Sequence, residues 1–179
     1  MATIAASLAA FLVVGQADGA SRAWSAYLAP SGACEAADDA AAAPAVQARA
    51  IGCLVNWARA QDRRGRLTPR PALARAAALK GKKVASCAQF SHTPCGTEVT
   101  AAVRAAGYRY STFGENLFAG PWGQVTARDV MSAWLQSPPH RANVLHRGFR
   151  DVGAASARAP GLLDDGDAVV WTATFASPR

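Results

Sequence analysis

The chain has 179 residues, enough for one domain with a core of its own. Hydrophobic residues make up 51% and charged residues 17%, which excludes wholesale disorder, although roughly a quarter of the chain is alanine and large apolar side chains are fewer than that fraction suggests. The net charge of +7 comes mostly from dispersed arginines, and no apolar run reaches the roughly 18 residues that span a bilayer, so neither nucleic-acid binding nor a membrane span is expected.

Residues 4–14 form an apolar stretch of signal-peptide length, followed by small residues at Ala17, Gly19, Ala20 and Ala23, though no Lys or Arg precedes it. The expected division is a secretory signal over 1–20, a linker or loosely packed N-terminal extension over 21–47, and the domain over 48–179. Ile51, Leu54, Val55 and Ala58 recur at helical spacing and predict a helix over 46–61. Thr68-Pro69-Arg70-Pro71 turns into a second helix, whose Leu73, Ala76, Ala77 and Lys80 share one side and which runs to about Ala88. A third, short helix is expected over 98–106, followed by a strand entry at 108–110.

Thr126 caps a fourth helix, with Val130, Met131 and Trp134 on its apolar face, and Pro138-Pro139 stops it. Residues 149–157 and 168–175 are rich in Val, Phe, Trp and Thr and flank turn signals, which predicts two antiparallel strands. Helices followed by strands give an α+β class, with helices packed on an antiparallel sheet.

Cys34, Cys53, Cys87 and Cys95 form an even set that allows three pairings and suits an exported chain. Cys87 and Cys95 are near enough in sequence to close a short loop, which leaves Cys34 and Cys53 to pin the extension to the domain. The rival reading is a zinc knot of Cys87, His92 and Cys95, which lacks a second Cys-x-x-Cys.

The chain has 3 histidines. His92 and His140 stand in polar, turn-rich segments, with Glu115 between them in Gly114-Glu115-Asn116-Leu117, while His146 reads as a surface residue. Two imidazoles and a carboxylate are the donors of an open metal site, but at such separations only the fold can unite them. No Gly-x-Ser-x-Gly elbow accompanies Ser91 or Ser137, which argues against a serine hydrolase.

Several strings together resemble the CAP superfamily, the cysteine-rich secretory, antigen 5 and pathogenesis-related-1 domain also called the sperm-coating-protein domain, and most of all its bacterial secreted branch. They are Leu54-Val55-Asn56-Trp57-Ala58-Arg59, Leu67-Thr68-Pro69 with Leu73, Phe90-Ser91-His92, Ala106-Gly107-Tyr108 and Gly114-Glu115-Asn116-Leu117. The longest is Trp134-Leu135-Gln136-Ser137-Pro138-Pro139-His140-Arg141-Ala142-Asn143-Val144-Leu145, and Phe149, Val152-Gly153 and Trp171-Thr172-Ala173-Thr174-Phe175 follow.

The resemblance implies a three-layer α-β-α sandwich with a central antiparallel sheet and a cleft lined by His92, Glu115 and His140. It implies a divalent cation there, zinc in many relatives, with Ser91, Asn116 and Asn143 supporting the cleft. Glu98 does not match the position of the second cleft glutamate found in many eukaryotic relatives. The implied function is a secreted or cell-wall-associated, non-catalytic domain that binds the cation and an extracellular ligand such as a lipid, sterol, glycan or peptide. The alternative is a metal-assisted hydrolase of peptide or cell-wall material, with Glu115 as general base.

Overall fold

The computed structural model describes residues 23–163 and 166–179; the expected signal at 1–20 lies outside these residues, as do Asp164 and Asp165 in the connection between the last two strands. Helix α1 spans Pro44–Gln61, a two-residue strand β1 Thr68–Pro69, and α2 Pro71–Cys87. Next come α3 at Ala101–Ala105, β2 at Tyr110–Pro121, α4 at Ala127–Gln136, α5 at Pro138–Leu145, β3 at Asp151–Leu163 and β4 at Gly166–Pro178. The strands form one sheet in the order β1-β3-β4-β2. All its pairs are antiparallel except β1 with β3, a short parallel pair at Thr68 and Pro69 that the sequence reading did not anticipate.

Strand β4 is the centre of the sandwich. Val169, Trp171, Ala173 and Phe175 point into the larger core with α1, α4 and α5. The alternate residues Ala168, Val170 and Ala176 point into two smaller clusters with α2 and α3. Burial on both faces explains the near-continuous apolar run of this strand. Alanine has a specific use here, because small residues let α2 lie close on the sheet. At Gly153 of β3 a Cβ would fall 2.1 Å from the Ala74 backbone nitrogen, and at Gly81 of α2 it would fall 3.1 Å from Ala157 Cβ.

Four sequence expectations change in the structure. Residues 24–43 are not a loose linker. Tyr27, Ala29, Cys34 and Ala37 are buried in the main core, and Cys34 is bonded to Cys53 of α1. Arg128 of α4 clamps the same segment, donating to the carbonyls of Ala29 and Pro30 and pairing with Asp38. The third helix is shorter than expected: it starts at Ala101, and its Arg104 reaches back to Glu98 and the Thr100 hydroxyl. Pro138-Pro139 does end α4, but the same prolines open α5, because the first helical turn needs no N–H donors from them. The strand entry at 108–110 grows into the 12-residue β2, whose buried Gly114-Glu115-Asn116 segment lacks the alternation that marks a strand in sequence.

The Thr126 cap forms as expected: its hydroxyl accepts from the Asp129 N–H at 3.1 Å and the Asp129 carboxylate accepts from the Thr126 N–H at 3.0 Å.

The close approach at Gly153 predicts that Gly153→Ala costs at least about 3 kcal/mol, because the obstructing atoms are backbone. Gly52→Ala, in α1 with open space around the new methyl, is expected to gain roughly 0.5–1 kcal/mol. Urea unfolding of both variants checks the pair.

Candidate functional site

The expected site residue Glu115 lies on β2, at one edge of the sheet, where the loop after α2 and the helix itself meet the strand. His92 sits in the loop after α2, and this loop is held at both ends. Cys87 at the end of α2 is bonded to Cys95, as the sequence spacing allowed. The Cys95 N–H donates to Gln89 Oε1 at 2.7 Å, and Ser91 Oγ accepts from the Thr93 N–H at 3.0 Å. Ser91 therefore braces its own loop.

Glu115 projects from the middle of β2 on the face covered by α2. Its side chain is 3% exposed, and Oε1 accepts from His92 Nδ1 at 2.8 Å. A carboxylate has no proton to give, so the bond assigns the proton to Nδ1 of the imidazole. The same oxygen lies 3.3 Å from Lys80 Nζ, whose side chain is also 3% exposed. Lys80 further donates to the backbone carbonyl of His92. Lys80, His92 and Glu115 thus form one closed cluster, and removal of either buried ion would leave the other uncompensated, at about 3–5 kcal/mol. Lys80 was not among the expected site residues. Its signal was its place on the buried face of Leu73, Ala76 and Ala77, where a lysine needs a partner.

His140 comes from the opposite layer, in the first turn of α5. An amide relay sets its position: Asn116 Nδ2 donates to the His140 carbonyl at 3.0 Å, and Asn143 Nδ2 donates to Asn116 Oδ1 at 2.9 Å. Asn143 also donates to the Glu115 carbonyl at 3.2 Å, so the two asparagines tie α5 to the strand that carries Glu115. Gly114 is needed beneath this relay, since a Cβ would lie 3.0 Å from Asn143 Oδ1 and 2.7 Å from Phe149 Cζ. The far end of α5 is held by Arg59 of α1, which is buried and donates to the carbonyls of Val144 and His146, each at 2.9 Å. Burial pushes the Arg59 guanidinium down to about 10.

Of the expected metal ligands, Glu115 and His92 are in contact, and the same Glu115 oxygen, Oε1, also faces an ammonium. Among the described residues no three His, Cys, Asp or Glu side chains are grouped to hold one ion. The donors as arranged do not fit a divalent cation. Glu98 is exposed, paired with Arg104, and takes no part in the cleft. His146 is exposed and lies tilted against Phe149, with ring centroids 4.5 Å apart.

A second concavity, of about 1080 Å³, opens at the opposite edge of the sheet between α1 and α2. Strand β1 covers β3 only at Asp151 and Val152, so the outer edge of β3 from Gly153 to Ser156 lies in the groove. Alanines 48, 74, 78 and 154 with Leu67 and Val152 supply an apolar lining. Arg49, Arg66, Arg70 and Arg75 are exposed around it, and among the described residues no acidic side chain lines it. Arg70 is paired with Asp151 at 3.1 Å.

Burial, and then the charge of His92, hold the His140 pKa below the ordinary imidazole value. The unfolded chain therefore binds more protons than the fold just below that ordinary value. Stability from neutral His140 is full above about pH 6.5 and is lost as pH falls through the lowered folded value. Thermal melts between pH 5 and 8 are expected to show this decline, and His140→Gln to flatten it.

The profile of the family described as the Cysteine-rich secretory protein family, CAP, matches residues 54–175. The uncharacterized protein YkwD of Bacillus subtilis (strain 168) is 33% identical over 73 residues, which are 41% of this chain and 24% of YkwD. Among solved structures, an extracellular protein of Bacillus anthracis str. Ames containing an SCP domain superposes with a TM-score of 0.62 at 20% identity, over 74% of this chain and 41% of that one. An outer surface protein of Borrelia burgdorferi gives 0.60 at 17% identity, over 72% of this chain and 90% of that one. This chain spans less than half the length of YkwD and of the B. anthracis protein, and the structural likenesses speak for the fold.

Proposed function

Since the chain belongs to the cysteine-rich secretory protein (CAP) family, we propose that it is an extracellular, non-catalytic binding domain whose groove between α1 and α2 takes an anionic amphiphile. The observation that carries this reading is the groove itself: small apolar side chains line it, and four arginines without an acidic neighbour in the lining surround it. An acyl chain buries apolar area there, while a carboxylate headgroup accepts charge-assisted hydrogen bonds from the rim. Arg49 and Arg66 are the exposed candidates for that contact, because Arg70 is engaged by Asp151 and Arg75 is tied across to the Ala106 carbonyl, whereas Arg49 bonds only the Ala45 carbonyl of its own helix.

An extracellular setting is supported by the two disulfides and by the likeness to an extracellular protein of B. anthracis and an outer surface protein of B. burgdorferi. No helix among the described residues is long and apolar enough to cross a membrane. The non-catalytic part of the reading rests on Glu115. A carboxylate that accepts from His92 and faces Lys80 has its charge already compensated and is a poor general base. Neither serine beside the histidines is set up as a nucleophile: Ser91 is bound within its own loop, and Ser137 stands at the N-terminus of α5.

Displacement of a fluorescent fatty acid by palmitate tests the groove. Wild type is expected to bind palmitate, and Arg49→Glu/Arg66→Glu to bind it at least about tenfold more weakly. Equal affinity in both proteins, or no binding to wild type, would remove the amphiphile from the reading.

A further inference from the structure

We propose that Lys80 is the resident cation of the His92–Glu115 cleft: its ammonium takes the place beside Glu115 that a divalent ion would need, and the domain excludes such an ion there. Three observations carry this. First, Nζ and Glu115 Oε1 are 3.3 Å apart with both side chains 3% exposed, so a second positive charge at that oxygen meets a repulsion that water screens poorly. Second, the imidazole of His92 is committed. Its Nδ1–H donates to Glu115 at 2.8 Å, which leaves only Nε2 as a ligand atom. The two ring nitrogens point away from each other, so an ion on Nε2 cannot share Glu115 unless the ring turns over and gives up that bond.

Third, the ammonium is itself held in place. It donates to the His92 carbonyl, in the loop closed by Cys87 and Cys95. The helix that carries it cannot slide on the sheet, because its backbone meets β3 at Gly153 and Gly81 meets Ala157. A metal site needs neutral imidazole and free carboxylate donors, and an ammonium supplies neither a lone pair nor a vacancy. In this chain the lysine does by a fixed charge what an ion would do by coordination: it neutralises Glu115 and anchors the His92 loop.

Titration of the full chain with zinc chloride at pH 7.5, followed by calorimetry, tests the proposal. Wild type is expected to show no saturable binding that depends on His92 up to millimolar zinc. Lys80→Met is expected to bind zinc about a hundredfold more tightly than wild type or better, and Lys80→Met/His92→Ala to lose that gain. Lys80→Arg, which keeps the charge, is expected to stay like wild type.

Circular dichroism establishes that each variant is folded. If Lys80→Met does not fold, imidazole nitrogen shifts of wild-type His92 decide the matter, with an Nδ1–H form unmoved by zinc as the expected result. Two results would overturn the proposal: micromolar, one-to-one zinc binding by wild type that His92→Ala or Glu115→Gln abolishes, or a folded Lys80→Met protein that binds no better than wild type.

Discussion

The contact between the backbone of α2 and strand β3 governs much of this structure. At Gly153 there is no room for a single added carbon, and at Gly81 the helix meets Ala157 almost as closely. The same helix carries the lysine that meets the carboxylate on the sheet. Here the helix lies low enough for Lys80 to reach Glu115 on β2, past the buried side of its own helix. The small residues at this contact are a packing device, and the helix they seat on β3 also carries Lys80 to Glu115. A buried carboxylate is tolerated only when it is paired and hydrogen-bonded, and both conditions are met through α2 and the loop that follows it.

The two concavities divide the sheet between them. The polar cluster of Lys80, His92 and Glu115 lies beside β2, and the arginine-rimmed groove opens beside β3, with α2 contributing to both. Their chemistry is opposite in kind. The cleft is polar, internally neutralised and stitched by amides, so it resists entry of further charge. The groove is apolar, with four arginines around it of which Arg70 is paired with Asp151. The family motifs fall at both: Gly114-Glu115-Asn116, His92, His140 and Asn143 belong to the first, while Asn56, Leu67-Thr68-Pro69 and Val152-Gly153 line the groove. Asn116, Asn143 and Gly114 serve geometry: they bring α5 against β2 and set the backbone of His140.

Much of the architecture was legible in the chain. The two long helices, the capped fourth helix and the two C-terminal strands follow from period and punctuation, because each buries one clear face or is bounded by Pro and Gly. Other elements were hidden for physical reasons. Strand β2 carries its polar residues buried, so it has no alternation to read. Pro138-Pro139 signals the end of one helix and the start of another with the same residues, and sequence shows only the break. The extension at 24–43 looks loose because its side chains are small, yet small side chains are what let it settle against α1 and α4 beneath the Arg128 clamp.

The chain by itself determined the helices, the α+β class, the pairing partners open to its cysteines and the candidate residues His92, Glu115 and His140, since each depends on local period, spacing or motif. Tertiary structure decided what those residues do. Whether an oxygen of Glu115 is free for an ion depends on a lysine 35 positions earlier on another element, and no local pattern encodes that distance. The reason is that ion pairing is set by the approach of whole elements, and the approach of α2 to the sheet depends on the small residues Gly81 and Gly153.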